Sequence, residues 1–537
     1  MEKNIKWWKN ALVYQIYPLS FKDSNSDGVG DLKGIISKLD YLKSYGVDVV
    51  WLSPVYESPM DDNGYDISDY TKVNPLFGTM EDLQELIDGL HSRGMKLIMD
   101  LVVNHTSDEH IWFKEALNNP NSKYHDYYIW NKEAKPEIGS VFSGSAWEYV
   151  EHLDKYYFHL FSRRQPDLNW HNKEMREEIY QMINSWLDKG VDGFRMDVIE
   201  LIGKDVLNGK IGDGPYLETY LFEMWERCFK GRDIMNIGEM GGISQERAGE
   251  LTSIENSGLH MTFQFSHLSV DQEAWKSKWH IKPVDFKELK NVFIKNHEIF
   301  KEKGWNSLFL SNHDQPRQIS RFGDENYRVK SGQMLFLMIY GQKGTPYVYQ
   351  GEEIGMTGIK FDDLKSYKDV ETLNWYKEAT QLGWPHERIM KSIYSKGRDN
   401  SRTPFQWNNK PFAGFSDVKP WLEVNPNYQI INAELELNDD DSVYHFSKRL
   451  FEIRKAFDVF TDGEFKCLDQ EASSTFIYKR FNQTHEALII TNLTNKEQEI
   501  HLEEIKGFSI VLSNYDIKLS KRMILPPYAA ILSIKGV

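Results

Sequence analysis

Gly193-Phe194-Arg195-Met196-Asp197-Val198 is short and apolar apart from two charges, the composition of a buried strand with polar groups at its end. It follows Ile179, Ile183, Trp186 and Leu187, which recur at helical spacing until Gly190-Val191-Asp192-Gly193 ends the helix. Residues two apart on a strand share a face, so Arg195 can hydrogen-bond Asp197 and keep it ionised where burial alone would favour the neutral acid. For one such strand, a structural ion pair is the plain alternative. Recurrence argues against it, because Lys96-Leu-Ile-Met-Asp100-Leu-Val-Val-Asn104-His105, Asp233-Ile-Met-Asn-Ile-Gly-Glu239 and Ser307-Leu-Phe-Leu-Ser-Asn312-His313-Asp314 end in the same way. Polar residues gathered at the C-terminal ends of parallel strands are how a (β/α)8 barrel builds an active site.

Outward from these strands the alternation continues. Leu12 to Pro18 and Val47 to Pro54 read as the first two strands, with an amphipathic helix from Gly34 to Tyr45 between them, and a helix from Met80 to Arg93 leads into the strand Leu97 to Val103. From His105 to about Trp170 the pattern lapses in a segment rich in Tyr, Trp and Asn, too long for a simple loop and better read as a small inserted domain beside the site. It resumes with the strands before Asp197 and Glu239, Leu259 to Phe265, the strand before Asp314 and Thr345 to Gln350, which completes eight. A helix near Val443 to Lys455 follows, and then short alternating strands (Thr475 to Phe481, Ala487 to Thr491, Ile524 to Ile534). The expected architecture is α/β, with a (β/α)8 TIM barrel over 1–104 and 172–460. A small domain at 105–171 is inserted after the third strand, and a C-terminal antiparallel β-sandwich occupies 461–537.

The 537 residues carry 64 Lys and Arg against 80 Asp and Glu, a net charge of −16, which disfavours nucleic acid and anionic membranes and suits a neutral substrate. Cys228 and Cys467 are far apart without metal-ligand spacing, so neither a disulfide framework nor a zinc site is indicated. Met1 to Trp8 lacks an apolar signal core and no long apolar run follows, so a cytoplasmic protein with no membrane partner is expected. A monomer is the expected state.

After the first strand, Asp23, Asn25 and Asp27 stand at alternate positions, followed by Gly28, the carbonyl of Val29 and Asp31, the ligand spacing of a calcium loop. The position where an EF-hand has Glu is Gly34, and no flanking helix pair is evident. One hard cation held by the loop alone, or a metal-free Asx-turn, both fit the spacing.

Asp and Glu at adjacent strand ends suit glycoside hydrolysis, in which one carboxylate attacks carbon and a carboxylic acid protonates the leaving oxygen. Asp197 beside Arg195 suits the nucleophile, and Glu239, with apolar neighbours and no cation close in sequence, suits the acid. Asp314 would steady an oxocarbenium-like transition state, and His105 and His313 would donate hydrogen bonds. The loop Pro59 to Asp66 adds Asp62 and Tyr65 on the same end of the sheet.

These residues resemble the α-amylase family, glycoside hydrolase family 13. Four of its regions stand here as Asp100-Leu-Val-Val-Asn-His105, Gly193-Phe-Arg-Met-Asp197, Ile237-Gly-Glu239 and Asn312-His-Asp314. The resemblance implies Asp197 as nucleophile, Glu239 as general acid/base and Asp314 as transition-state stabiliser. Gln165-Pro-Asp-Leu-Asn169 is similar to the oligo-1,6-glucosidases, dextran glucosidases and trehalose-6-phosphate hydrolases, and Val198 to the α-1,6-specific members, since maltose-cleaving relatives usually carry Ala or Thr there. It further implies that Asp62 and Arg398 clamp the non-reducing glucose, that Lys278 lies on the substrate path, and that Asp23, Asn25, Asp27, Val29 and Asp31 hold one structural Ca²⁺, with no organic cofactor.

The expectation is a retaining exo-α-glucosidase releasing glucose from non-reducing α-1,6 ends of short oligosaccharides. The alternatives are a trehalose-6-phosphate hydrolase, because Gly241 replaces a usual Trp and Met261 to Val270 and Asn312 to Arg317 look closer to that group, and a transglycosylating relative active on sucrose or other α-glucosides. A catalytically silent, transporter-associated barrel is disfavoured because all three carboxylates are present.

Overall fold

Alternate residues of the barrel strands are large and apolar, and that period of two fixes which side chains face inward. The strands are β1 (Val13–Ile16), β2 (Val49–Leu52), β3 (Lys96–Leu101), β4 (Gly193–Met196), β5 (Met235–Glu239), β6 (Met261–Phe263), β7 (Ser307–Leu308) and β8 (Thr345–Tyr349). They run parallel in the order β6-β5-β4-β3-β2-β1-β8-β7, and a parallel bridge from Thr262 to Asn306, beside β7, brings the two edges together. Val13, Val49, Trp51, Ile98, Ile237, Phe263 and Tyr347 share one interior cluster. The structure, a computed structural model, describes residues 6–301, 303–503 and 505–537, so the start of the N-terminal stretch read as lacking a signal lies outside the described residues.

Register carries the interior pattern into the site. Asp100 pairs with Arg195, and Arg195 with Ile237, so the three stand at one level on the inner face. Asp197 and Glu239 then come one inward-facing step further along. Gly193 makes the entry to β4 possible, because it adopts φ 140° and a Cβ there would lie 1.9 Å from the Met235 carbonyl oxygen.

The inserted segment contains a three-stranded antiparallel sheet (Trp130–Asn131, Trp147–Val150, Lys155–Phe158). After the helix Val459–Asp462, a five-stranded antiparallel sheet (Glu464–Cys467, Thr475–Phe481, His485–Asn492, Ser509–Ser513, Ala530–Gly536) packs beside a pair formed by Gln498–His501 and Arg522–Leu525. The helix Arg328–Tyr340 is buried continuously from Ser331 to Tyr340 and packs on this sheet, with Tyr478 Oη donating to the Met338 carbonyl at 3.2 Å. Among the described residues no helix is long and apolar enough to cross a membrane.

Two elements differ from expectation. The helix expected over Gly34 to Tyr45 is two, Leu32–Ile36 and Leu39–Tyr45. The first starts early because Asp31 caps it through the Gly34 N–H, and it stops where Ser37 Oγ turns back onto the Gly34 carbonyl. The strand expected over Ile524 to Ile534 divides between two sheets, since Pro526 and Pro527 supply no N–H and Tyr528 takes the left-handed φ of 54°.

Candidate active site

One guanidinium organises the strand ends. Arg195 Nη1 lies 2.5 Å from Asp100 Oδ1 and 2.6 Å from Asp197 Oδ1, and Nη2 lies 2.6 Å from Glu239 Oε2, a contact that is an ion pair but is not aligned as a hydrogen bond. Trp51 Nε1 and Tyr65 Oη donate to the other oxygen of Asp100, at 2.9 and 3.2 Å, which orients it. No cation is close to Glu239 in sequence, but the barrel brings Arg195 across from β4. Arg195 makes the expected hydrogen bond to Asp197 and favours its ionised form, but this pull is outweighed. Burial, with added repulsion from Glu239, Asp100 and Asp314, pushes Asp197 well above the usual carboxylate range against the pull of Arg195, and burial likewise raises Asp100 to about 6. With Asp197 and Asp100 both raised, these two carboxylates around one fixed cation favour holding a proton.

Val198, directly after Asp197, takes the left-handed conformation (φ 37°, ψ 42°), costly for a β-branched residue by roughly 1–3 kcal/mol. The turn aims the Val198 N–H at Glu239 Oε2, 3.2 Å away, and brings residue 198 onto the cavity wall.

A second ion-pair network lies around Asp314 and the loop of Arg398. Asp314 Oδ1 receives Arg402 Nη2 at 2.6 Å and Arg398 Nη1 at 3.3 Å. Burial pulls Asp314 upward, but the cations around it outweigh burial and hold it well below the usual range. His313, although 3.2 Å from Asp314, counts as a cation only in acid, because burial pushes its own pKa down to about 3, so near neutrality the arginines carry the effect. Arg398 Nη2 also binds Asp62 Oδ1 at 2.9 Å and Asp369 Oδ1 at 2.6 Å, while Gln165 of the inserted domain donates to Asp62 Oδ2 at 3.1 Å. Burial still raises Asp62 to about 6 despite Arg398.

The site opens into a cavity of about 620 Å³ walled by Asp62, Tyr65, His105, Asp197, Glu239, Lys278, Asp314 and Arg398, together with Phe142 and Phe161 of the inserted domain. Lys278 Nζ is paired with Glu371 at 2.6 Å. His105 rests its Nε2 3.2 Å from the Tyr65 carbonyl, and burial lowers its pKa to about 4. His313 is fully buried and stacked flat against Tyr65 at 5.2 Å, so it supports the wall rather than forming it. Sequence reading missed Arg402, Asp369 and Glu371. Arg402 sits one helical turn beyond Arg398, which only the family resemblance had singled out. Asp369 and Glu371 begin the helix Val370–Gln381 and are indistinguishable in sequence from an ordinary acidic cap.

The loop of Asp23 lies apart from this cavity. Asp23 accepts from the N–H groups of Asn25, Ser26 and Gly28 and from Ser416 Oγ, Asp27 from Val29 N–H, and Asp31 from Ser24 and Gly34. Among the described residues no three His, Cys, Asp or Glu side chains converge as a metal group. Each carboxylate oxygen has two acceptor positions, so the four bonds to Asp23 occupy both of its oxygens, while oxygen lone pairs remain at Asn25, Asp27 and the Val29 carbonyl. The donor set is all oxygen, as a hard cation needs.

The model of the α-amylase catalytic domain matches residues 15–463. The chain is 48% identical to an oligo-1,6-glucosidase of Bacillus cereus over 99% of both chains, and 47% identical to a glucan 1,6-alpha-glucosidase of Streptococcus pneumoniae over 98% of both. Among solved structures, a trehalose-6-phosphate hydrolase of Bacillus licheniformis superposes with a TM-score of 0.93 at 44% identity, covering 98% of this chain and 99% of that one. With the barrel, the inserted domain and the carboxylates at the strand ends in place, the chain belongs to the α-amylase family of glycoside hydrolases.

Proposed function

We propose that this chain is a retaining, exo-acting α-glucosidase that removes glucose from the non-reducing end of α-1,6-linked glucosides. Asp197 attacks the anomeric carbon as the bond to the leaving oxygen breaks, and Glu239 gives that oxygen its proton. Glu239 then takes a proton from water, whose oxygen displaces Asp197 from the glucosyl-enzyme and restores the α configuration. Asp314, held anionic by Arg398 and Arg402, faces the positive charge that develops on the ring. The observation that carries the exo reading is the Arg398 network, which ties Asp62, Asp314 and Asp369 together and leaves a pocket end suited to a single terminal sugar.

Trehalose 6-phosphate is the second reading, favoured by the Bacillus licheniformis relative and by Gly241, where a Cβ would lie 2.6 Å from the Phe265 ring, so Phe265 occupies the space a Trp would need. A phosphate dianion competes with any acid that already pairs with the cation it would use. Those lining the cavity already have acids, with Lys278 on Glu371 and both Arg321 and Lys396 on Asp271; of the neighbouring lysines Lys282 pairs with Glu288, and Lys276, exposed and outside the cavity wall, has no ion pair among the described residues. That supports a neutral leaving sugar. Isomaltotriose, maltotriose, sucrose and trehalose 6-phosphate compared side by side should rank isomaltotriose first in kcat/KM. A preference for the phosphorylated sugar of about tenfold, roughly 1.4 kcal/mol in transition-state binding, reverses the choice.

The Asp23 loop is proposed to hold one structural Ca²⁺, supported by its all-oxygen donor set and ligand spacing. It supplies no acid or base to the reaction. Excess Ca²⁺ is expected to raise Tm, a chelator to lower it, and Asp27→Ala to abolish the difference while changing kcat little. A Tm indifferent to both additions, with no metal detected by elemental analysis, removes the ion from the account.

A further inference from the structure

Beyond β6 the chain forms a hairpin at the cavity. Ser269, Gln272 and Lys278 line the cavity wall, and between the last two the backbone reverses. Gln272 is bridged to Ile281, the Glu273 N–H donates to the His280 carbonyl at 2.8 Å, and the Lys282 N–H donates to the Asp271 carbonyl at 2.9 Å. Both legs are fastened at the base. Asp271 accepts from Arg321 Nε at 2.9 Å and pairs with Lys396 at 2.6 Å, while Trp279 stacks on Trp375 with the rings 2° from parallel and 5.4 Å apart.

The tip is the turn Glu273-Ala274-Trp275-Lys276. It is closed by the Lys276 N–H on the Glu273 carbonyl at 3.2 Å and by Gln272 Nε2 on the Lys276 carbonyl. Trp275, the third residue, takes the left-handed φ of 63°, a conformation that a turn normally gives to glycine or asparagine. Its side chain is 102% exposed, whereas every other tryptophan is buried or half-buried. A single exposed apolar residue is ordinary on a protein surface. Here, however, the turn disfavours any side chain of this kind, and the indole gains no packing in return. Strain that the fold does not need points to a use outside the fold.

The place of the turn says what that use is. The Arg398 network occupies the end of the cavity that takes the terminal glucose, so the remainder of a longer chain leaves through the mouth. Trp275 is three residues from Gln272 and three from Lys278, which puts its Cα no more than about 11 Å from that of either wall residue. That is within the reach of a short oligosaccharide. An indole offers a broad, rigid apolar face, which matches the C–H face of a pyranose ring.

We propose that Trp275 is an outer substrate-binding residue, a platform for the third or a later glucose of an α-1,6-linked chain counted from the non-reducing end. This rests on the α-glucosidase reading. The contact gives the enzyme a preference for chain length, because a disaccharide ends before the hairpin tip and a longer chain passes it.

Full-length wild type, W275F and W275G are compared on isomaltose and isomaltotetraose. W275G is expected to raise KM for isomaltotetraose by about tenfold with little change in kcat, and to move KM for isomaltose by less than about twofold. W275F should keep the wild-type preference, since a phenyl face still packs against a sugar. The Tm of W275G should rise, because glycine fits the turn and no packing is lost. Equal changes on both substrates, no change on either, or a fall in Tm overturns the proposal. Wild-type activity separates this proposal from the reading beneath it. Variants that keep the wild-type ratio while isomaltose is cleaved overturn the Trp275 contact alone, whereas a wild type inactive on both sugars overturns the α-1,6 reading and this contact with it.

Discussion

Asp197→Asn is expected to reduce kcat by on the order of 10⁴-fold or more, because an amide cannot form the glucosyl ester on which the two-step reaction depends. The melting temperature should hold or rise. Burial already pushes Asp197 well above the usual carboxylate range, so a neutral side chain of the same shape relieves a charge that is costly to bury. Loss of turnover together with loss of folding would leave the assignment without support. Two stereochemical checks accompany it. Wild type should release α-glucose first, as seen by NMR, and Asp197→Gly with azide should form β-glucosyl azide, because the small anion enters from the face the carboxylate vacated. β-Glucose as the first product makes Asp197 something other than the nucleophile.

Arg195→Met is the second large effect. It removes the one guanidinium that contacts Asp100, Asp197 and Glu239, leaving buried carboxylates without their counter-ion, and breaking such a network costs about 3–5 kcal/mol. Activity should be lost with it. The stability deficit carries a pH signature whose sign follows from linkage. Without Arg195 the carboxyl groups of Asp100 and Asp197, already raised, rise further above their unfolded values. Such groups contribute stability that is fully present below the unfolded pKa and is lost as pH rises through the folded one. The gap in Tm between variant and wild type should therefore be widest near pH 8 and narrow toward pH 5. A gap of constant size across that range would mean that Arg195 contributes packing, over Trp51 for instance, rather than charge.

The barrel was readable because its strands are short, apolar and spaced by helices, and because period-two geometry puts Asp100, Arg195, Asp197 and Glu239 in phase with interior residues. The pairing of Asp62 with Arg398 came only through family resemblance, since 336 positions separate them and no local pattern links a loop after β2 to a loop after β8. The ion pair of Glu239 could not be read from the sequence for a related reason. Its cation comes from a neighbouring strand, and sequence proximity says nothing about what lies beside a residue across a sheet. Asp369 and Glu371 are disguised as helix-start acids. The break at Pro526-Pro527 was visible in composition, but only the pairing partners show that the two sides join different sheets.

The helix Arg328–Tyr340 has a consequence for how this chain can be cut and rebuilt. Ten successive buried residues mean that it has no solvent side, because the strands of the last domain cover what the barrel leaves open. The terminal domain is thus the outer wall of the barrel's own interior and not a passenger on a tether. Truncation before Glu464 would bare Leu337 and Met338 and strip the Tyr478 hydroxyl from the Met338 carbonyl. A minimal enzyme made by deleting the terminal domain should therefore aggregate, whereas the exposed hairpin turn around Gln483 and Thr484 offers a place to open or extend the chain without touching that buried face.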